Sequence, residues 1–198
     1  MSCLGRWLLW VLTSTAGFSF GGHFLHFPFG FSNGFAFVPG NLLIGFIIRA
    51  LTGAVIGIFQ WLVLRRLIPG AGWWIIATSI GVGIIHSVGD STPDTVDFRL
   101  LALGSGAVVG LSQWVVLYRS SSQASWWILI TLISWFIGLT VGMLIIQATG
   151  LMLFDDPEGW IMQHSVVGAT TGIIVGVITG AGLIWLLEHK VSVLETKP

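Results

Sequence analysis

The sequence predicts an all-α fold: a polytopic membrane bundle of about six transmembrane helices, built from three two-helix hairpin repeats, with both termini cytoplasmic. Three observations carry this expectation. The 198-residue chain is 55% hydrophobic and 8% charged, with a mean hydropathy of +0.93, whereas soluble domains carry roughly 25% charged residues. Long apolar runs alternate with short polar connections, which is the pattern of membrane spans rather than of a buried core. The basic residues also fall asymmetrically among those connections, as they do in polytopic membrane proteins.

A hydrocarbon layer of about 30 Å takes roughly 20 helical residues, and six segments qualify: 4–22, 42–64, 73–88, 98–118, 126–149 and 161–187. The first has Arg6 followed by an apolar stretch over 7–20 and so resembles a signal peptide, but it pairs with the next segment in the repeat described below, so it is expected to be a retained helix. The third is short and is expected to tilt little or to thin the bilayer. Continuous apolar runs, rather than alternation over about 10 residues, exclude a β-barrel. Residues 1–198 then form a single membrane domain, with hairpins at about 4–66, 73–119 and 126–188.

Lys and Arg set the orientation. Arg6, Arg65, Arg66, Arg119, Lys190 and Lys197 share one side if both termini lie there, leaving Arg49 and Arg99 opposite, at helix starts. Asp90, Asp94, Asp97, Asp155, Asp156 and Glu158 map to the outer side, the last three as a solvated acidic turn around Pro157. Trp7, Trp10, Trp61, Trp73, Trp74, Trp114, Trp126, Trp127 and Trp185 cluster toward the cytoplasmic ends. Such clustering predicts an interfacial aromatic belt.

Thr52–Leu64, TGAVIGIFQWLVL, and Ser105–Leu117, SGAVVGLSQWVVL, agree at eight of thirteen positions. Gln60 precedes Trp74 by fourteen residues, as Gln113 precedes Trp127. A third copy from Val167, VGATTGIIVGVIT, keeps the glycines but replaces Gln-Trp with Val175-Gly176. Trp10, Trp74 and Trp127 align in the odd helices, followed by Ser14, Thr78 and Thr131. The unit is a hairpin, used three times. Gly53 and Gly57, Gly106 and Gly110, and Gly168, Gly172, Gly176 and Gly180 are spaced by four, so each set lies on one helix face where backbones can approach closely. The simplest arrangement puts the three even helices inside, around a pseudo-threefold axis.

The G-A-x-x-G-x-x-Q-W-x-x-L-R run, followed by a Trp-Trp pair, resembles a repeat found in membrane proteins of cyanobacteria and related photosynthetic bacteria. The likeness covers 52–78 and 105–131 closely. It implies a lineage, and with it a bacterial inner or thylakoid membrane, but no established activity. A three-by-two helix plan is also similar to that of mitochondrial carriers, whose Pro-x-[Asp/Glu]-x-x-[Lys/Arg] signature is missing after every odd helix.

Gln60 and Gln113 are the sharpest repeated polar positions. A membrane Gln can bond across helices, line a path, or ligate the magnesium of a chlorophyll, and interhelical bonding is the expected role. His86 and His164, nearer the helices than His23 and His26, are the better candidates for pigment or solute contact. His23-x-x-His26 has no third ligand fixed by sequence, so no metal site is assigned. Arg49 and Arg99 are expected to snorkel and pair with Asp90, Asp94 or Asp97. Cys3 is expected to be a free thiol. No G-x-S-x-G, H-E-x-x-H, P-loop or dinucleotide-binding pattern is present, so no enzyme is expected. Zero net charge gives no reason to expect nucleic acid.

The leading expectation is therefore a non-enzymatic accessory subunit. It would dock on a larger, photosynthetic membrane complex through other membrane subunits and hold lipid or a pigment such as chlorophyll or carotenoid. The alternatives are a small-solute or ion channel or transporter, and a sensor of outer-side pH built on the histidines, whose unperturbed pKa is about 6.5.

Overall fold

A computed structural model describes residues 2–24, 42–90, 97–151 and 157–188. The long first outer loop with His26, the acidic positions Asp94, Asp155 and Asp156, and the tail with His189, Lys190 and Lys197 lie outside the described residues, as do the side chains of His23 and His86.

Six helices account for nearly all of it: α1 (Cys3–Phe24), α2 (Leu42–Leu64), α3 (Trp73–Asp90), α4 (Phe98–Leu117), α5 (Trp126–Thr149) and α6 (Pro157–Glu188). Four stretches are long and apolar enough to cross a membrane: Phe46–Leu64, Arg99–Leu117, Trp126–Thr149 and Ile161–Glu188. Trp73–Ile85 is a shorter apolar helix.

The helix ends follow local chemistry. At α4 the Asp97 carboxylate accepts from the Arg99 backbone N–H at 2.8 Å, an N-cap that satisfies one otherwise orphaned donor. Helix α5 ends at Gly150, whose φ of 70° is the left-handed C-cap geometry that glycine adopts without strain. Helix α6 begins four residues earlier than its apolar run, at Pro157 with Glu158 in its first turn. Proline is pre-organised for a first helical position and an acid there favours the helix dipole, so part of the expected acidic turn is helix.

Each helix packs against its neighbours in the chain, and α6 packs back on α1. The bundle is thus a closed ring of alternating odd and even helices, and the expectation that the even helices alone surround the axis is corrected. The physical reason lies in the glycines. A face without side chains mates with a neighbouring backbone and cannot fill an axis. A Cβ on Gly53 would lie 2.6 Å from the Thr78 carbonyl oxygen of α3, one on Gly106 2.5 Å from Leu132 Cα of α5, and one on Gly172 2.7 Å from Thr15 Cα of α1. Each even helix thereby seats its glycines on the next odd helix around the ring. The axis is filled from odd and even helices together.

Two layers fill it. At the end carrying Arg6, Arg65, Arg66 and Arg119, Trp10, Trp74 and Trp127 cluster with Leu64, Leu117 and Leu186. Deeper in the bundle, Phe18, Ile56, Val82, Val109, Trp135 and Val175 form the second cluster. The links at the basic end close alike: Ile68 and Ser121 donate back to Leu64 and Leu117, and Trp74 and Trp127 to Ala71 and Ala124. These equivalent bonds form although RRLIPGAG and YRSSSQAS have little in common.

Candidate functional site: a buried tryptophan triad and its amide nodes

Tandem tryptophans on a helix point about 100° apart, so a Trp-Trp pair at the start of α3 or α5 cannot place both rings on one face. Trp73 and Trp126 are 66% and 53% exposed, whereas Trp74 and Trp127 are fully buried. Trp10 of α1 is buried with them. The three indoles meet edge to face, with centroids 6.1 Å apart for Trp10–Trp74, 6.4 Å for Trp10–Trp127 and 5.5 Å for Trp74–Trp127. Such pairs contribute about 0.5–1.5 kcal/mol each beyond their buried area. These three tryptophans leave the expected aromatic belt and become the plug of the ring; Trp73 and Trp126 remain at the surface.

A buried indole N–H needs an acceptor, and here the two glutamines act. Trp74 Nε1 donates to Gln60 Oε1 at 2.9 Å, and Trp127 Nε1 donates to Gln113 Oε1 at 3.0 Å. Each amide turns its other end to the preceding odd helix: Gln60 Nε2 donates to Ser14 Oγ at 3.3 Å, and Gln113 Nε2 to Thr78 Oγ1 at 3.0 Å. One side chain on an even helix therefore ties together the two odd helices flanking it. Gln60, Gln113, Ser14 and Thr78 are all buried, so each bond sits where water does not compete.

The third sector differs. Val175 stands where the glutamines stand, and Trp10 Nε1 donates instead to Thr179 Oγ1 at 2.9 Å, one turn further along α6. Thr179 in turn donates to the Val175 carbonyl. Thr131, the counterpart of Ser14 and Thr78, is buried and its Oγ1 has no partner among the described residues. Thr171 Oγ1 on α6 is likewise buried without one.

Of the positions singled out by sequence, Gln60 and Gln113 lie level with each other. His164 is half-buried on α6, one turn before Gly168, and eleven residues before Val175, so about 16 Å along the axis from the amide level. His86 is twelve residues beyond Trp74, about 18 Å away by the same rise. The histidines and the glutamines are not brought together. Among the described residues no group of three His, Cys, Asp or Glu could hold a metal ion. At the basic end the exposed Cys3 thiol lies 3.9 Å from Glu188 Oε1 and accepts from Arg6 Nη2 at 3.4 Å, joining the start of α1 to the end of α6.

Sequence reasoning identified the two glutamines but missed Ser14, Thr78 and Thr179 as their partners and replacement. The fourteen-residue Gln-to-Trp spacing was the available signal for the first bond, and the aligned Ser14, Thr78 and Thr131 for the second. Thr179 aligns with Leu64 and Leu117 and carried no signal. Compared with protein-family models, curated proteins and solved structures, the chain has no match.

Proposed function

We propose that the protein is a non-enzymatic integral membrane subunit: six helices in the bilayer, three copies of one hairpin, both termini cytoplasmic, docked on a larger membrane complex. One observation carries this reading. The two buried amides inside the ring are spent on protein partners, which leaves recognition to the outside of the bundle. Both ends of each amide have protein partners. The outward faces are apolar, with Leu51, Ile58, Leu111, Val115, Leu129 and Ile173 exposed, as lipid-facing or subunit-facing helices require. Helix α1 packs on α6 and α3 on α2 and α4, which supports placing α1 and the shorter α3 in the same membrane as the other four.

Pigment or solute contact then falls to His86 and His164 rather than to the glutamines. The photosynthetic complex, and the choice between bacterial inner and thylakoid membrane, rest on the sequence resemblance. A channel or transporter is the weaker reading because the indole triad and the Phe18–Trp135 pair, 5.1 Å apart, occupy the axis at two levels. A pH sensor would rest on the outer histidines and would need a partner to carry the signal.

The test is purification from the native membrane in mild detergent, reading the absorption spectrum and the co-purifying proteins together. Stoichiometric partner subunits are the expected result, with chlorophyll or carotenoid bands if His86 or His164 holds pigment. A colourless, solitary, monodisperse monomer overturns the docking reading.

A further inference from the structure

One groove on the bundle is not explained by helix packing. It has a volume of about 780 Å³ and runs between the start of α3 and the end of α4 at the basic end. That is within the roughly 300–1,000 Å³ of pockets that hold a small molecule. Its wall is apolar: Trp73, Ile76, Ile80 and Val115 line it and are all exposed. From Trp73 to Ile80 it extends about 10 Å along the helix axis. Its mouth is polar and cationic, formed by Tyr118, Arg119 and Ser120. Arg119 Nε donates to Tyr118 Oη at 2.7 Å and its guanidinium lies 5.3 Å from the Tyr118 ring centroid. This holds the charge at the mouth and leaves the two Nη groups without a partner among the described residues.

The other two hairpins carry larger side chains at positions that, in the second, line the groove. Between α1 and α2, Phe59 stands where α4 has Ser112, and it stacks on Phe20 with centroids 5.8 Å apart and planes within 3°. Between α5 and α6, Ile130 stands where α3 has Ala77, with its Cδ1 2.8 Å from where a Cβ on Gly182 would lie. Ala77 and Ser112, both smaller than those counterparts, line the groove in the second hairpin.

We infer that the α3–α4 groove is a binding site for an anionic phospholipid, with an acyl chain along Trp73, Ile76, Ile80 and Val115 and the phosphate at Arg119. This deepens the reading above and rests on its membrane placement, with the basic end at the cytoplasmic surface. The occupant follows from charge and shape together. A free anion would leave the apolar wall unused. A zwitterionic lipid would gain less from Arg119, because its own cation offsets the phosphate, whereas a basic residue at an anionic membrane surface contributes about 1 kcal/mol, or roughly fivefold in affinity.

The test is native mass spectrometry of the full chain in detergent, delipidated and then supplied with phosphatidylglycerol or phosphatidylcholine. The wild type is expected to retain phosphatidylglycerol in preference by about fivefold. Arg119→Gln is expected to abolish the preference, and Arg66→Gln, the same loss of charge at the aligned position after α2, to leave it intact. Ser112→Phe, which copies Phe59, is expected to lower retention of both lipids. Val115→Trp closes the groove from its rim and serves the same purpose if the first variant fails to fold. Inorganic phosphate is expected not to compete; competition would mean a free-anion site and overturn the proposal. Equal retention of the two lipids by the wild type, or equal effects of the two Arg variants, would also overturn it. Either failure leaves subunit docking untouched, because co-purification of partners reads that separately.

Discussion

The two glutamine sectors and the sector of Val175 solve one problem in different ways. All three must accept a buried indole N–H at the same level of the ring. Gln60 and Gln113 do so with a long amide that also reaches the preceding odd helix. In the third sector the acceptor is a hydroxyl one turn away, and among the described residues none bonds the Thr131 hydroxyl. The difference teaches that the indole acceptor is the fixed requirement of the triad, while the second bond is dispensable. The closing α6–α1 seam also differs from the others, since Gly168, Gly172, Gly176 and Gly180 all lie against α1. A run of four glycines brings the backbones together over more of its length than the pairs in α2 and α4.

The largest expected effect comes from removing an amide. Gln113→Leu orphans the Trp127 N–H and removes the donor to Thr78, and each buried group left unsatisfied costs roughly 1–3 kcal/mol. Thermal unfolding in detergent, followed by near-ultraviolet circular dichroism of the tryptophans, should show a lowered midpoint and loss of the triad signal. An unchanged midpoint would mean that the glutamine sectors are no more bonded in effect than the third.

Next in size is the glycine seam. Gly106→Ala would place a Cβ 2.5 Å from Leu132 Cα, whereas Gly142→Ala would meet Val167 Cα at 3.3 Å. The first neighbour is backbone and cannot move without parting α4 from α5. Overpacking of this kind costs about 1–3 kcal/mol, so Gly106→Ala should lower the unfolding midpoint clearly and Gly142→Ala much less. Equal effects would show that the seams yield more easily than the backbone distances imply.

A third variant asks whether the odd sector can be converted. Val175 packs in the cluster that holds Phe18 and Trp135, at the level where the second hairpin has the smaller Val82. Val175→Gln alone should therefore destabilise by about 1–3 kcal/mol through crowding, although its amide would face the orphaned Thr131. Adding Trp135→Val should recover part of that loss, read as non-additivity of the two substitutions. Strict additivity would separate the missing glutamine from the large neighbour.

Much of this geometry was legible in the sequence, and the exceptions have a common cause. The six helices follow from apolar runs, four of them of membrane length, and the Gln60 and Gln113 positions from their shared spacing to Trp74 and Trp127. The tryptophans were misplaced because position along a span fixes depth but not direction. Trp73 and Trp74 share a depth, yet one is 66% exposed and the other fully buried. The glycine faces were visible, but a face records only that something approaches closely. That the approaching element is the next odd helix, and not another even one, depends on how the ring closes. Thr179 was invisible because its role arises only once Val175 has displaced the amide.

The smallest expected effect is the most discriminating for the comparison between sectors. Thr78 and Thr131 align, both are buried, and one accepts from Gln113 while the other has no partner for its hydroxyl oxygen among the described residues. Thr78→Val should orphan the Gln113 Nε2 donor and cost about 1 kcal/mol, near the mean for an interhelical bond in a membrane or slightly above it. Thr131→Val removes a hydroxyl that already lacks its bond and keeps the shape of the side chain. It should be neutral or slightly stabilising, because an unsatisfied buried polar group is replaced by a methyl. Parallel unfolding curves would read the contrast directly. If the two valines cost the same, Thr131 has a partner after all, such as an ordered water held where the amide would have been, and the third sector is bonded like the other two.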